Sequence, residues 1–172
     1  MLTLDDVTAL DVAESGTQRY RVVDGQLQIF EQTWQRPFWD RDHWTQILAK
    51  WTSKLKPDRY VGAYAEETLV GVAGLRERLT PTMAQLTSLY IDRHHRQQGI
   101  ASQLVQAVFY LSAGSGAQAI YVSAKPSIPA VGFYTHHGFC VTKHPDPDLF
   151  ALEPLDIHMV RPITLADHKE PS

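Results

Sequence analysis

The segment from Ala84 to Leu111 most constrains this chain, because its hydrophobic period changes partway along. "AQLTSLYI" (84–91) has the composition of a strand, whereas Ile100, Leu104, Val105, Val108 and Leu111 recur at helical spacing. Between them lies "DRHHRQQG", polar and ending in Gly99. The chain must therefore run strand, loop, helix here, with Gly99 at the helix start. A helix's first turn carries amide N–H groups without internal partners, and the macrodipole adds about half a positive charge. Such an end holds a phosphate through backbone donors. Gly99 lets a ligand approach without a Cβ in the way. Ser102 offers a hydroxyl in that first turn, and Arg96 a fixed cation suited to phosphate. The pattern predicts a local anion site.

It has to be local, because the whole chain is mildly acidic. Its net charge is −3 and its pI about 6.2, which argues against a nucleic-acid-coating surface or a polybasic membrane anchor. At 172 residues the sequence suits one domain spanning 1–172. Cys140 is the only cysteine, so neither an internal disulfide nor a multi-cysteine zinc site is possible. The start "MLTLDDVTALDVAESG" is acidic where a secretory signal is basic, and no apolar run reaches the length of a membrane span. A reduced, cytoplasmic protein is expected.

The first twenty residues alternate weakly and give no clear assignment. Residues 40–55 read as a helix, capped by Asp40 or Asp42, with Trp44, Ile47, Leu48, Trp51 and Leu55 on one face. "RYVGAYAE" and "TLVGVAGLRER" read as a hairpin, followed by the strand 84–91. After the helix that follows Gly99 come a strand at 119–124, a helix over 127–137 stopped by Gly138, the strand "FCVTK", a loop "HPDPD" and a last strand "LDIHMVRPI". The expected class is mixed α/β, a mostly antiparallel, partly splayed sheet flanked by helices. The tail over 165–172 is expected to fray.

Two blocks resemble the GCN5-related N-acetyltransferase (GNAT) family. Arg96-Gln97-Gln98-Gly99-Ile100-Ala101 matches its R/Q-x-x-G-x-G/A loop, which cradles the pyrophosphate of coenzyme A. "SIPAVGFYTHHGF" is similar to its N-x-x-A-x-x-x-Y-x-x-x-G-F segment, with Ala130, Tyr134, Gly138 and Phe139 on the marked positions and Ser127 in place of Asn. The resemblance runs from about residue 60 to 161, and the first sixty residues share only helical character with it. It implies acetyl-CoA as co-substrate, without a metal, and a primary amine of a small molecule or peptide as acceptor. It also implies Leu89, Tyr90 and Ile91 as the splayed strand that holds the pantetheine arm and polarises the thioester carbonyl. Arg96, Gln97, Gln98, Gly99, Ile100, Ala101, Ser102 and Ser127 would face the cofactor, Tyr134 would be the general acid, and a homodimer is possible.

Transfer of an acetyl group to an amine also needs a base. Strand 84–91 carries no acid, so the base comes from elsewhere: Glu77 first, with Glu153 and Asp156 as alternatives. Direct transfer in a ternary complex is expected, since nothing near Cys140 would activate it, and a buried, inert thiol is the simpler reading. The pairs His94-His95 and His136-His137 are adjacent, point apart and do not suggest a metal site. Trp34, Trp39, Trp44 and Trp51 suit either a core or an apolar acceptor wall. A non-catalytic acyl-CoA sensor is the alternative function.

Overall fold

A computed structural model describes all of residues 1–172. Its elements are α1 (Leu4–Thr8), β1 (Glu14–Val23), β2 (Gln26–Arg36), α2 (Arg41–Lys50), β3 (Arg59–Ala65), β4 (Thr68–Thr80), β5 (Met83–Ile91), α3 (Ile100–Gly114), β6 (Ala119–Ala124), α4 (Ile128–His136), β7 (Cys140–Val141), α5 (Pro147–Leu152) and β8 (Ile157–Pro162). Six strands form one sheet in the order β3-β4-β5-β6-β8-β7, in which only β5 and β6 run parallel. The mixed α/β expectation holds.

The sheet buries apolar side chains on both faces. Leu104, Val105 and Val108 of α3 pack with Val131 of α4 on one face, against Ala84, Leu86, Ile120, Val122, Ile157 and Met159. On the other, Trp39, Trp44 and Trp51 pack with Val7 and Leu10 against Leu69 and Val72. Asp40 caps α2 by accepting from the His43 amide at 2.8 Å. The expected helix over 40–55 is present, but its last turn, Trp51–Leu55, is π-helical and stops at Lys56 in the left-handed region.

The N-terminal sixty residues differ from the helical expectation. β1 and β2 form a long separate hairpin, joined by Asp24 and Gly25 at φ +50° and +75°. Two consecutive left-handed residues are what a two-residue type I′ turn requires, and Asp-Gly is a strong sequence signal for it. A lone two-stranded ribbon is marginal, and this one is anchored. The Tyr20 amide donates to Pro126 O at 2.7 Å, and Arg19 bridges to Ser127.

Three other expectations change. Cys140 is exposed, not buried, because strand alternation turns Phe139 inward and Cys140 out. The loop "HPDPD" leads into α5: Asp146 caps the amides of Asp148 and Leu149, with Pro147 in the first turn. The tail does not simply fray after Thr164. Leu165–His168 forms a 3₁₀ turn, and buried Asp167 accepts from Arg161 Nη1 at 2.7 Å while that guanidinium lies 3.9 Å over the Phe109 ring.

Candidate active site

β5 and β6 pair only from Met83–Leu86 to Ala119–Val122. Beyond Leu86 they diverge, so the β6-facing edge of β5 from Thr87 to Ile91 has no strand partner. A cleft of about 870 Å³ opens in this splay. Leu89, Tyr90 and Ile91 line it, as do Arg96, Gln97, Gly99, Ile100, Ala101, Ser102, Ser127 and Tyr134. The structure thus gathers nearly every residue expected at the cofactor site.

The loop after β5 is shaped by its backbone. Gln97 and Gly99 take φ of +60° and +80°, turning the chain into α3. A Cβ at Gly99 would point into open space, no side chain caps α3, and Ile100, Ala101 and Ser102 of its first turn line the cleft, so this end fits a pyrophosphate. Asp92 holds the loop, accepting from the amides of Asp11 and His94 at 2.9 and 3.0 Å and meeting His95 Nδ1 at 2.9 Å. Burial pushes its carboxyl pKa up, but these hydrogen bonds outweigh that and hold it below the usual range. Arg96 also braces the loop: it donates to Ile91 O at 3.3 Å and Ala13 O at 3.1 Å. Its guanidinium is tied to protein carbonyls rather than held free for phosphate.

Four expected residues act differently. Gln98 does not line the cleft; its side chain reaches His94 O at 3.5 Å. Ser127 caps α4 by accepting from the Ala130 amide at 3.2 Å, and Ser102 meets His137 Nε2 at 3.1 Å. Glu77 is not brought to the cleft. It pairs with Arg59 at 2.5 Å in a separate groove at the far end of β4. The reason is register: Arg59 lies across from Leu75, so the long Arg59 side chain reaches Glu77 two residues on.

The two alternative acids do reach the cleft, within a chain of alternating charge. Lys50 pairs with Glu153, and Lys125 lies 3.5 Å from Glu153 and 3.4 Å from Asp156. Burial opposes the charges on Glu153 and Lys125. Lys50 and Lys125 nonetheless hold Glu153 below its usual pKa, and Asp156, Tyr90 and Glu153 hold Lys125 above its own. Asp156 ends the chain with a side chain only 6% exposed. Burial, aided by the Glu153 charge and opposed by Lys125, pushes its pKa up to about 6. Tyr134 is 7% exposed, wedged edge-on against Phe133 and Phe139. Burial first, then Tyr90 and Asp156, push its phenol pKa up, so it stays protonated.

An aromatic wall faces these groups. Trp51 stacks on Tyr90 at 5.8 Å, Trp39 lies 5.4 Å from the same ring, and Arg36 sits over it at 5.4 Å. Trp34 and Arg36 come from the β1–β2 hairpin, so the element that sequence reading missed supplies part of the cleft.

A family model described as the acetyltransferase (GNAT) family matches residues 21–139. The chain belongs to the GNAT family. None of the curated proteins matches it by sequence. Among solved structures, nourseothricin acetyltransferase superposes with a TM-score of 0.70 at 18% identity, covering 95% of this chain and 96% of its own. A protein assigned as a streptothricin acetyltransferase of Bacillus anthracis, solved with acetyl coenzyme A, gives 0.64 at 11% identity, covering 88% and 86%. The PaiA N-acetyltransferase of Thermoplasma acidophilum, solved with coenzyme A, gives 0.51 at 19% identity, covering 71% and 70%. At these identities the likeness establishes the GNAT fold, and in the first two it extends over most of the chain. As a GNAT protein the chain is an acetyltransferase whose donor is acetyl-CoA, and no helix is long and apolar enough to cross a membrane.

Proposed function

We propose that this GNAT protein transfers acetyl directly to the primary amine of a small molecule, with Asp156 taking the amine proton and Tyr134 protonating the departing sulfur. The observation that carries this is the placement of a buried carboxylate with a raised pKa beside a buried, protonated phenol in the splay of β5 and β6. Acetyl-CoA supplies the activated acyl group. The chain's own residues do the rest.

The first turn of α3 and the loop at Gly99 hold the diphosphate. The unpaired edge of β5 near Leu89 offers amides to the carbonyl oxygen, where negative charge develops. Asp156 accepts the proton from the amine as the nitrogen–carbon bond forms. An ordinary aspartate near 3.8 is further from an amine near 10.4 than one near 6, so the shift eases that transfer by about 3 kcal/mol. Lys125 keeps the resulting charge change local by pairing with Asp156 and Glu153. As the carbon–sulfur bond breaks, the electron pair goes to sulfur and Tyr134 donates its hydrogen there. Exposed Cys140 lies outside the cleft, which supports direct transfer without an acetyl-enzyme.

Two neighbours that cover most of the chain carry the names of small-molecule acceptors, which favours a small molecule over a peptide. The test is loss of thioester absorbance from acetyl-CoA with a panel of polyamines, aminoglycosides, amino acids, nourseothricin and lysine peptides. Acceleration by one amine class supports the reading. Acetyl-CoA binding with no transfer to any of them would favour a sensor.

A further inference from the structure

The floor of the cleft contains polar atoms that nothing in the protein satisfies. Thr87 Oγ1, Ser88 Oγ and Gln85 Oε1 are all buried without a hydrogen-bond partner. Ser88 is 7% exposed and Gln85 only 1%, and all three residues line the cleft. Buried hydroxyls and amides are nearly always paired, and an orphan costs free energy comparable to a lost hydrogen bond. Three within four residues of one strand call for a cause.

The cause of their grouping is a bulge. Gly74 pairs with Ser88 while the next residue, Leu75, pairs with Leu86, which leaves Thr87 as the extra residue in β5. Regular alternation would send Thr87 and Ser88 to opposite faces. Here both hydroxyls crowd the same side of Gly74, where an added Cβ would abut Thr87 Oγ1 and come within 2.6 Å of Ser88 Oγ. Gln85 points to that same face, opposite Ala84 and Leu86 in the core under α3. The site is thus a cluster of two hydroxyls and an amide oxygen on residues that line the cleft, with the Tyr60 ring 3.4 Å from the same Cβ position and tilted against Trp51.

We infer that Thr87, Ser88 and Gln85 form a hydrogen-bonding floor that recognises a hydroxyl or amide N–H on the acceptor, beside its reactive amine. The inference rests on the acetyltransferase reading of this cleft. A Gln oxygen only accepts, and the hydroxyls accept and donate, so the matching ligand group is a donor. Strand geometry sets the spacing. Thr87 and Ser88 precede Leu89 by two residues and one, so at about 3.3 Å per residue their hydroxyls lie roughly 3–7 Å along the strand from the Leu89 amide. That separation suits a donor three or four bonds from the amine nitrogen. The acceptor class is therefore a 1,2- or 1,3-amino alcohol, or an amine with an amide at equal distance.

The test compares 2-amino-1-phenylethanol with 2-phenylethylamine, which differ by one hydroxyl. Binding of each to the coenzyme A complex is measured by calorimetry for the wild type and for the Thr87→Val/Ser88→Ala double variant. The wild type should bind the amino alcohol roughly 10-fold or more tightly, since a site built to pair a hydroxyl discriminates against its absence. In the variant the ratio should fall towards one. The variant's melting temperature should be unchanged or higher, because two unpaired buried hydroxyls have been removed; a purely structural role for them would lower it. Equal affinities in the wild type, a ratio preserved in the variant, or binding of neither compound overturns the inference. Transfer is assayed separately by thioester loss. Equal turnover of both amines sinks the floor but keeps the acetyltransferase, whereas selective binding without turnover keeps the floor and sinks the proposed reaction.

Discussion

As the proposed base, Asp156 would tie stability and catalysis to the same proton. Its pKa rises from 3.8 to about 6 on folding, so between those values the native state holds a proton that the unfolded chain releases. Stability from this group is therefore fully present below about pH 3.8, falls as pH rises towards 6, and is lost above it. A shift of about two units corresponds to about 3 kcal/mol, and the side chain is too buried for solvent to screen much of it. The perturbation is Asp156→Asn, which keeps the shape and removes the titration. Urea unfolding followed by tryptophan fluorescence from pH 4 to 8 should show wild-type stability falling, relative to the variant, by about 3 kcal/mol. The kcat/KM of the wild type should rise with pH through an apparent pKa near 6, and the variant should lose most of its activity. A stability difference that is flat with pH, or a variant with wild-type kcat/KM, would refute the assignment of Asp156 as the base.

Tyr134→Phe should lower kcat by about 100-fold or more, the scale of a lost general acid, while leaving coenzyme A affinity intact; a wild-type rate would remove Tyr134 from the reaction. Gly99→Glu should abolish coenzyme A binding by calorimetry, since it strains a residue at φ +80° and aims a carboxylate at the diphosphate end of α3. Gly74→Ala should impair acceptor binding more than coenzyme A binding, because its Cβ would push into the hydroxyls of Thr87 and Ser88. Gly25→Val should destabilise the hairpin by about 1 kcal/mol or more by forcing a β-branched residue to φ +75°, and should raise the acceptor KM through Trp34 and Arg36.

What the sequence determined by itself is everything set by local period and turn chemistry. The helix stripe from Ile100 to Leu111, the cap at Asp40, the stop at Gly138 and the strand ending at Ile91 each depend on neighbours a few residues away. The uncapped start of α3, proposed to hold the diphosphate, was legible for the same reason: its donors are backbone amides that any helix start supplies. The hairpin at Asp24-Gly25 was also local and written in the sequence, but its weak alternation hid it. The tertiary structure alone decided which charges met. Glu77 and Asp156 are both acids at strand margins, and no spacing rule separates them. Pairing of β3 with β4 gave Glu77 to Arg59, whereas the adjacency of β6 and β8 brought Asp156 to Lys125 inside the cleft. The same holds for Arg96, tied to Ala13 some eighty residues away, and for the bulge that turns Ser88 beside Thr87. A pKa or an unpaired hydroxyl is a property of surroundings, and those surroundings exist only once distant segments have packed.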